Sequence, residues 1–196
     1  IAATCALLGS ATAAWAAGDA AAGKAKSATC TACHNPDGNS TNPQYPKLAG
    51  QSADYLTKQL MEFKSGARVN AIMVGMVAPL SPQDMEDLAA FYASQQIARS
   101  AADPALVPAG EAVFRGGNLN SGVSACMACH GATGAGNPAA KFPMLAGQHA
   151  DYLELQLKAF RAMERANDAG QMMRQIAAKM TDQEIKAVSS YIQGLQ

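Results

Sequence analysis

Two five-residue motifs constrain this 196-residue chain more than any other feature. They are Cys30-Thr-Ala-Cys-His34 and Cys126-Met-Ala-Cys-His130. Cys-x-x-Cys-His is the attachment sequence of c-type haem, in which the two thiols add to the vinyl groups of one porphyrin and the histidine binds the iron. The sequence therefore predicts two haem c groups. The predicted thioether bonds come from Cys30, Cys33, Cys126 and Cys129, and the predicted iron ligands include His34 and His130.

Other uses of two Cys-x-x-Cys pairs fit the sequence less well. A tetrahedral zinc site would require pairs separated by 92 residues to converge, and it would leave the histidine after each pair unexplained. A thioredoxin-like redox pair needs strands that alternate with helices, and the sequence has no such pattern. A disulfide within Cys-x-x-Cys has poor geometry on a helix. Haem attachment is the interpretation that uses every residue of both motifs.

The first sixteen residues indicate export. They carry no charge, are rich in alanine, and end in Ala14-Trp15-Ala16, a small-x-small cleavage pattern. We expect the end of a secretory signal, cleaved near Ala16/Ala17, and a periplasmic mature protein. The alternative, a real N-terminal helix, would be too short to span a bilayer. Cleavage would remove Cys5, the fifth cysteine, and Trp15, the only tryptophan.

Charge and hydropathy exclude several classes of partner. Residues 17–100 contain seven basic and seven acidic side chains, and residues 101–196 contain eight of each. No basic patch indicates nucleic-acid binding, and no apolar run after residue 16 indicates a membrane span. We expect a monomer, with at most a loose association with the membrane surface.

The chain is a tandem repeat. Tyr45–Leu56 returns as Phe142–Leu153, at an offset of 97 residues, and the haem motifs repeat at an offset of 96. The second copy then inserts Asp168–Gly170, after which the offset is 100. Between the copies, a stretch rich in Ala and Pro reads as a linker. The sequence predicts a signal remnant at 1–16, a first domain at 17–98, a linker at 99–109 and a second domain at 110–196.

The pattern within each copy is helical, and strand signals are absent. The predicted helices begin at Gly18-Asp19 and Gly110-Glu111, run over Gln51–Ser65 and Gln148–Met163, and end with helices from Ser81-Pro82 to Gln95 and from Thr181-Asp182 to the C-terminus. Asp84 and Glu184 lie three residues after the N-cap residues and predict capping boxes. The predicted fold is therefore all-α. Each copy, of roughly 80–90 residues, is small enough to need a covalently held haem as a staple.

The repeat also selects the second iron ligands. Methionine is the usual partner of histidine in electron-transfer haems, and it raises the potential. Of ten methionines, Met73 and Met173 fall on each other when the copies are aligned, whereas the other eight have no methionine opposite. His149 faces Ser52 in the same alignment and is interpreted as a surface helix residue. Pro46 and Pro143 are paired, and their carbonyls either accept the free ring N–H of the ligating histidines or only start a turn.

These residues resemble the cytochrome c4 family of dihaem proteins over the whole predicted mature chain. The resemblance rests on Ala17-Gly-Asp-Ala20, Pro46-Lys-Leu-Ala-Gly-Gln51, Pro143-Met-Leu-Ala-Gly-Gln148, Arg174-Gln-Ile-Ala-Ala-Lys179 and Tyr191-Ile-Gln-Gly-Leu195. It implies two class I cytochrome c domains related by a pseudo-twofold axis, with their haem edges facing each other. It implies His34/Met73 ligation at the first haem and His130/Met173 at the second. The loop from Lys64 to Met73 is shorter than in some family members.

The expected function is electron transfer without a bound substrate, so we do not expect an enzyme. The resemblance implies delivery of electrons towards a terminal oxidase, and a quinol-oxidising complex is the kind of respiratory donor expected. One alternative is a dihaem peroxidase or sulfur-compound oxidoreductase, which needs an iron with an open or displaceable sixth site. Another is a haem subunit fixed to a dehydrogenase or oxidase complex, for which the sequence would look the same.

Overall fold

The protein is described by a computed structural model over residues 18–195. The predicted signal sequence, with Cys5 and Trp15, lies outside these residues. The first repeat contains α1 (Ala20–Lys26), α2 (Thr31–His34), α3 (Ala53–Ser65), α4 (Ala71–Val77) and α5 (Pro82–Ala93). The second contains α6 (Val107–Gly116), α7 (Met127–His130), α8 (Ala150–Arg161), α9 (Met172–Ala177) and α10 (Asp182–Gly194).

The all-α prediction is confirmed. Within residues 18–195, extended structure is confined to two isolated bridges, Asn118 with Val123 and Asn137 with Phe142. Short 3-10 turns at Ser27–Thr29, Pro138–Ala140 and Ala169–Gln171 join helices. No helix in this part of the chain is long and apolar enough to cross a membrane.

The two repeats pack their helices in the same way. The first helix of each repeat crosses the last, α1 on α5 and α6 on α10. The third helix packs on both the last and the fourth, so α3 contacts α5 and α4 while α8 contacts α10 and α9. The largest apolar cluster fills the second repeat around Phe114, Ile185 and Val188. Each repeat thus has a core of its own, with the haem motif on its border.

Local sequence signals explain where the last helices begin. The Ser81 hydroxyl accepts the N–H of Asp84, whose carboxylate accepts the N–H of Ser81 in return. Thr181 and Glu184 form the same reciprocal pair. Both predicted capping boxes are therefore confirmed, and each satisfies two N–H groups that a helix start leaves without partners.

The helix that opens the second repeat begins earlier than predicted. It starts at Val107, so Gly110 lies inside α6, and the expectation that Gly110 opens this helix is wrong. The reason is a helix crossing: a Cβ at Gly110 would lie 2.3 Å from the carbonyl oxygen of Ala187. Gly23 has the same position in α1, where a Cβ would lie 2.0 Å from the carbonyl oxygen of Asp87. Both glycines are required for close packing and not for a helix start.

Gly110→Ala should therefore destabilise the protein by about 1–3 kcal/mol, because the added methyl group forces the two crossing helices apart. Gly116→Ala is the matched control, since it lies in the same helix with no atom within 4 Å of its Cβ position. We expect this control to be neutral or to stabilise by up to about 1 kcal/mol. Denaturant unfolding followed by circular dichroism measures both. Equal effects of the two substitutions would refute the crossing as the reason for the glycine.

Candidate functional site

Each Cys-x-x-Cys-His motif forms a single helical turn. The backbone N–H of His34 donates to the carbonyl of Cys30 at 3.0 Å, and that of His130 donates to Cys126 at the same distance. None of the four motif cysteines forms a disulfide. The turn thus holds two free thiols and one imidazole close together in each repeat, which is the donor set that a covalently attached haem requires.

The histidine ring of each motif is held by a proline carbonyl. Nδ1 of His34 lies 2.8 Å from the carbonyl oxygen of Pro46, and Nδ1 of His130 lies 2.9 Å from that of Pro143. A carbonyl only accepts, so Nδ1 carries the proton and Nε2 is the nitrogen available to a metal. The two histidine residues are only 7% and 6% exposed, and this burial lowers the pKa of both. The geometry provides two oriented, neutral imidazoles.

The first cysteine of each motif lies in apolar surroundings. Cys30 packs against the cluster around Leu88 and Phe91 in the first repeat. Cys126 packs against the main cluster of the second repeat. Burial raises the pKa of the Cys30 thiol and raises that of Cys126 to about 11. These thiols are therefore neutral groups in an apolar wall that suits a porphyrin.

The two paired methionines have equivalent positions. Met73 lies in the first turn of α4 and Met173 in the first turn of α9, and both are half-buried. Their neighbours Met76 and Met172 are more exposed. The first turns of the two helices are bound by different side chains. Asn70 accepts the N–H of Met73, whereas Asp168, within the insertion, accepts the N–H of Arg174.

In the first repeat, Met73 and the haem motif border one apolar region. Met73 packs against a cluster formed by Phe63, Val77 and Met85. Leu60 and Leu80 contact both this cluster and the one against which Cys30 packs. The structure thus connects the motif and Met73 through α3 and α5. The pairing of methionine and histidine on one iron stays a prediction.

A glutamine from each repeat binds the backbone of the other. Gln148 accepts the N–H of Lys47 and donates to the carbonyl of Lys47, both at 2.9 Å. Gln51 makes the same two bonds, also at 2.9 Å, to the N–H and carbonyl of Met144. Lys47 and Met144 are equivalent in the repeat, and so are the glutamines. The contacts are therefore reciprocal, as expected for a twofold interface.

Two arginines form a second reciprocal set between the repeats. Arg68 donates to the Tyr152 hydroxyl and to Gln156, each at 2.9 Å. Its counterpart Arg165 donates to the Tyr55 hydroxyl at 3.0 Å and also to Gln59 and Gln156. Each guanidinium also lies over a phenylalanine of its own repeat. Neither arginine is among the residues predicted from the sequence, although the two match each other at the offset of 97.

Other contacts break the symmetry. The buried ammonium of Lys47 donates to the carbonyls of Ala98 and Gly147 and to the Ser100 hydroxyl. Its counterpart, Met144, has no charge. Nε2 of His149 lies 2.7 Å from the carbonyl oxygen of Ser40 in the other repeat. The interpretation of His149 as a surface residue is wrong, because the ring is half-buried between the repeats and binds there.

The cysteine pairs do not converge on a metal. Between residues 18 and 195, no group of three or more His, Cys, Asp or Glu side chains has a geometry that could hold a metal ion. The geometry therefore gives no support to the zinc alternative. Two separate motifs, each with its own histidine and apolar wall, fit two haems.

Comparison with known proteins decides the family. A family model for cytochrome c matches residues 20–96 and again residues 109–196. Cytochrome c4 of Thiocapsa roseopersicina is 53% identical over 180 residues, which cover 91% of this chain and 93% of that protein. The chain belongs to the cytochrome c4 family. It carries two haem c groups, one in each repeat, and is a dihaem electron-transfer cytochrome.

Two further relatives show the range of the similarity. The crystal structure of reduced recombinant cytochrome c4 from Pseudomonas stutzeri is 50% identical, with a TM-score of 0.90 over 92% of this chain and 100% of that one. The thiosulfate dehydrogenase electron acceptor of Thiomonas intermedia is 38% identical over 180 residues, covering 88% of this chain and 81% of that protein. The match to the family's structure extends over both repeats.

The reciprocal arginines predict a stability effect. Arg165→Lys should lower the free energy of unfolding by about 1–3 kcal/mol, because buried amide and hydroxyl partners lose hydrogen bonds that one ammonium cannot replace. Arg161→Lys is the matched control. Arg161 donates to Met180 and Asp182, which both belong to its own repeat, so we expect a change below about 0.5 kcal/mol. Thermal unfolding of the haem-loaded protein measures both. A control as destabilised as Arg165→Lys would argue against the interface as the cause.

Proposed function

We propose that this protein is a freely diffusing periplasmic electron carrier in which His34 and Met73 bind one iron and His130 and Met173 bind the other. The observation that carries the proposal is that one arrangement of histidine, proline and methionine occurs in both repeats. Each repeat has a buried imidazole whose Nδ1 is held by a proline carbonyl, and a half-buried methionine at the start of its fourth helix. A histidine and a methionine bound to the same iron would leave no coordination site for a substrate.

The bound haem supplies reversible one-electron chemistry at its iron. The chain's own residues hold each imidazole in one orientation, which keeps Nε2 available to the metal. The apolar clusters around Cys30 and Cys126 exclude water. The interface between the repeats holds Lys47, Arg68 and Arg165, a positive charge suited to the anionic propionates that every haem carries.

The proposed partners are redox proteins. A respiratory donor, such as a quinol-oxidising complex, would supply electrons, and a terminal oxidase would receive them. The proposed mature chain begins near Ala17 and acts as a monomer. Its proposed domains are 17–98 and 110–196, with a linker at 99–109 whose last residues, from Val107, form the start of α6. Its balanced charge in each half supports a carrier that binds neither nucleic acid nor lipid strongly.

A second candidate donor follows from one relative. The protein of Thiomonas intermedia that is 38% identical to this chain is named for accepting electrons from a thiosulfate dehydrogenase. A dehydrogenase that oxidises a sulfur compound is therefore an alternative source of electrons for the same carrier. The proposal that the chain is not itself such an enzyme rests on the methionine at both predicted sixth positions.

The ligands can be tested by substitution. Met73→Ala and Met173→Ala should each remove about half of the weak far-red band of methionine-ligated ferric haem, lower one midpoint potential, and open one iron to carbon monoxide. Met76→Leu and Met172→Leu are the controls, since they lie beside the predicted ligands and are more exposed. Optical spectra with and without carbon monoxide measure all four variants. Loss of the band in a control variant would show that the repeat alignment selected the wrong methionine.

A further inference from the structure

A single peptide group in each repeat is bound from both sides. The Pro46–Lys47 peptide accepts the Nδ1 proton of His34 on its carbonyl, at 2.8 Å. The N–H of the same peptide donates to Oε1 of Gln148, which belongs to the other repeat, at 2.9 Å. A continuous path of hydrogen bonds thus runs from the imidazole of the first repeat to a glutamine of the second.

The second repeat has the same path in the opposite direction. The Pro143–Met144 peptide accepts the Nδ1 proton of His130 at 2.9 Å, and its N–H donates to Oε1 of Gln51 at 2.9 Å. Both glutamines are only 6% exposed. Their orientation follows from their partners, because Oε1 faces backbone N–H groups and Nε2 faces a backbone carbonyl.

Such a path has an electronic consequence. An acceptor on the N–H side of a peptide polarises the amide and strengthens its carbonyl as an acceptor. A stronger bond from the carbonyl to the ring N–H raises the basicity of a metal-bound histidine. A more basic imidazole donates more charge to the iron and stabilises its ferric state, so the midpoint potential falls. The glutamine therefore acts on an iron with which it has no contact.

We propose that each glutamine is a positioning residue for the iron of the opposite repeat. Gln148 lowers the potential of the iron bound by His34. Gln51 lowers the potential of the iron bound by His130. This inference rests on the proposed histidine ligation. It makes the contact between the repeats part of the ligand environment of both irons, so that separating the repeats would weaken both histidine bonds at once.

The test uses Gln148→Leu and Gln51→Leu in the full haem-loaded chain. The sequence has three histidines, so labelling with nitrogen-15 histidine gives three ring systems to follow by NMR. In the reduced protein, Gln148→Leu should move the Nδ1–H resonance of His34 upfield and leave His130 in place. Gln51→Leu should do the reverse. In a redox titration read on the same signals, the potential of the opposite iron should rise.

Two substitutions of the same kind serve as controls. Gln59 and Gln156 also lie between the repeats, where they accept from Arg68 and Arg165 and do not touch the proline–histidine pairs. Gln59→Leu and Gln156→Leu should loosen the interface without moving either Nδ1–H resonance. Gln148→Asn, which keeps the amide but shortens its reach, should shift His34 in the same direction and covers the case in which Gln148→Leu fails to fold.

The outcomes separate this inference from the proposed function. If oxidation leaves the ring signals of His34 and His130 unchanged in the wild-type protein, histidine ligation is wrong and the inference falls with it. In other outcomes both signals respond to oxidation, but Gln148→Leu shifts the His130 resonance of its own repeat, shifts both histidine resonances equally, or shifts neither more than the controls do. Each of these results overturns only the glutamine assignment. The assignment is supported only if Gln148→Leu shifts the resonance of His34 and Gln51→Leu shifts that of His130.

Discussion

Each repeat of this chain buries polar groups that form hydrogen bonds with the other repeat. Gln51 and Gln148 bind backbone across the interface, and Arg68 and Arg165 find their hydroxyl and amide partners there. A buried polar group without a partner costs about 1–3 kcal/mol. The two halves therefore hold one relative arrangement, and that arrangement in turn fixes how the two haem motifs lie with respect to each other.

Much of the helical framework could be predicted because its causes are local. The capping pairs Ser81/Asp84 and Thr181/Glu184 lie three residues apart, so a single sequence reveals them. The start of α6 could not be read in the same way. Gly110 looks like a helix boundary, yet it is required inside the helix by the approach of Ala187, a residue far away in the sequence.

The residues of the site divide in the same way, into those that the local sequence predicts and those that depend on distant contacts. The motif cysteines and histidines follow from a short pattern, and the repeat singled out the prolines whose carbonyls hold the histidines. The partners of Arg68 and the burial of His149 depend on how the repeats meet, which periodicity within one repeat does not show. Comparing the copies for polar residues that recur at an offset of 97 would have marked Arg68 as a candidate.

The two repeats also differ from each other at several buried positions. Lys47 brings a buried positive charge where the second repeat has Met144, and burial lowers the pKa of this lysine. His149 reaches from the second repeat to Ser40, whose hydroxyl donates to the carbonyl of Cys33 in the first haem motif. Since potentials respond to charge, burial and hydrogen bonds near the iron, these differences predict two unequal midpoint potentials within one fold.

We expect the two haem domains to act as one pair within a single chain. A short connection keeps the haems at a high effective concentration, which favours internal transfer over collision between molecules. The direct measurement is rapid mixing with a reductant that delivers one electron, followed over a tenfold dilution series of the protein. If the haems exchange electrons within one chain, the rate of redistribution between them does not depend on protein concentration. A rate that rises in proportion to concentration would contradict this expectation, because the haems would then exchange electrons only between molecules.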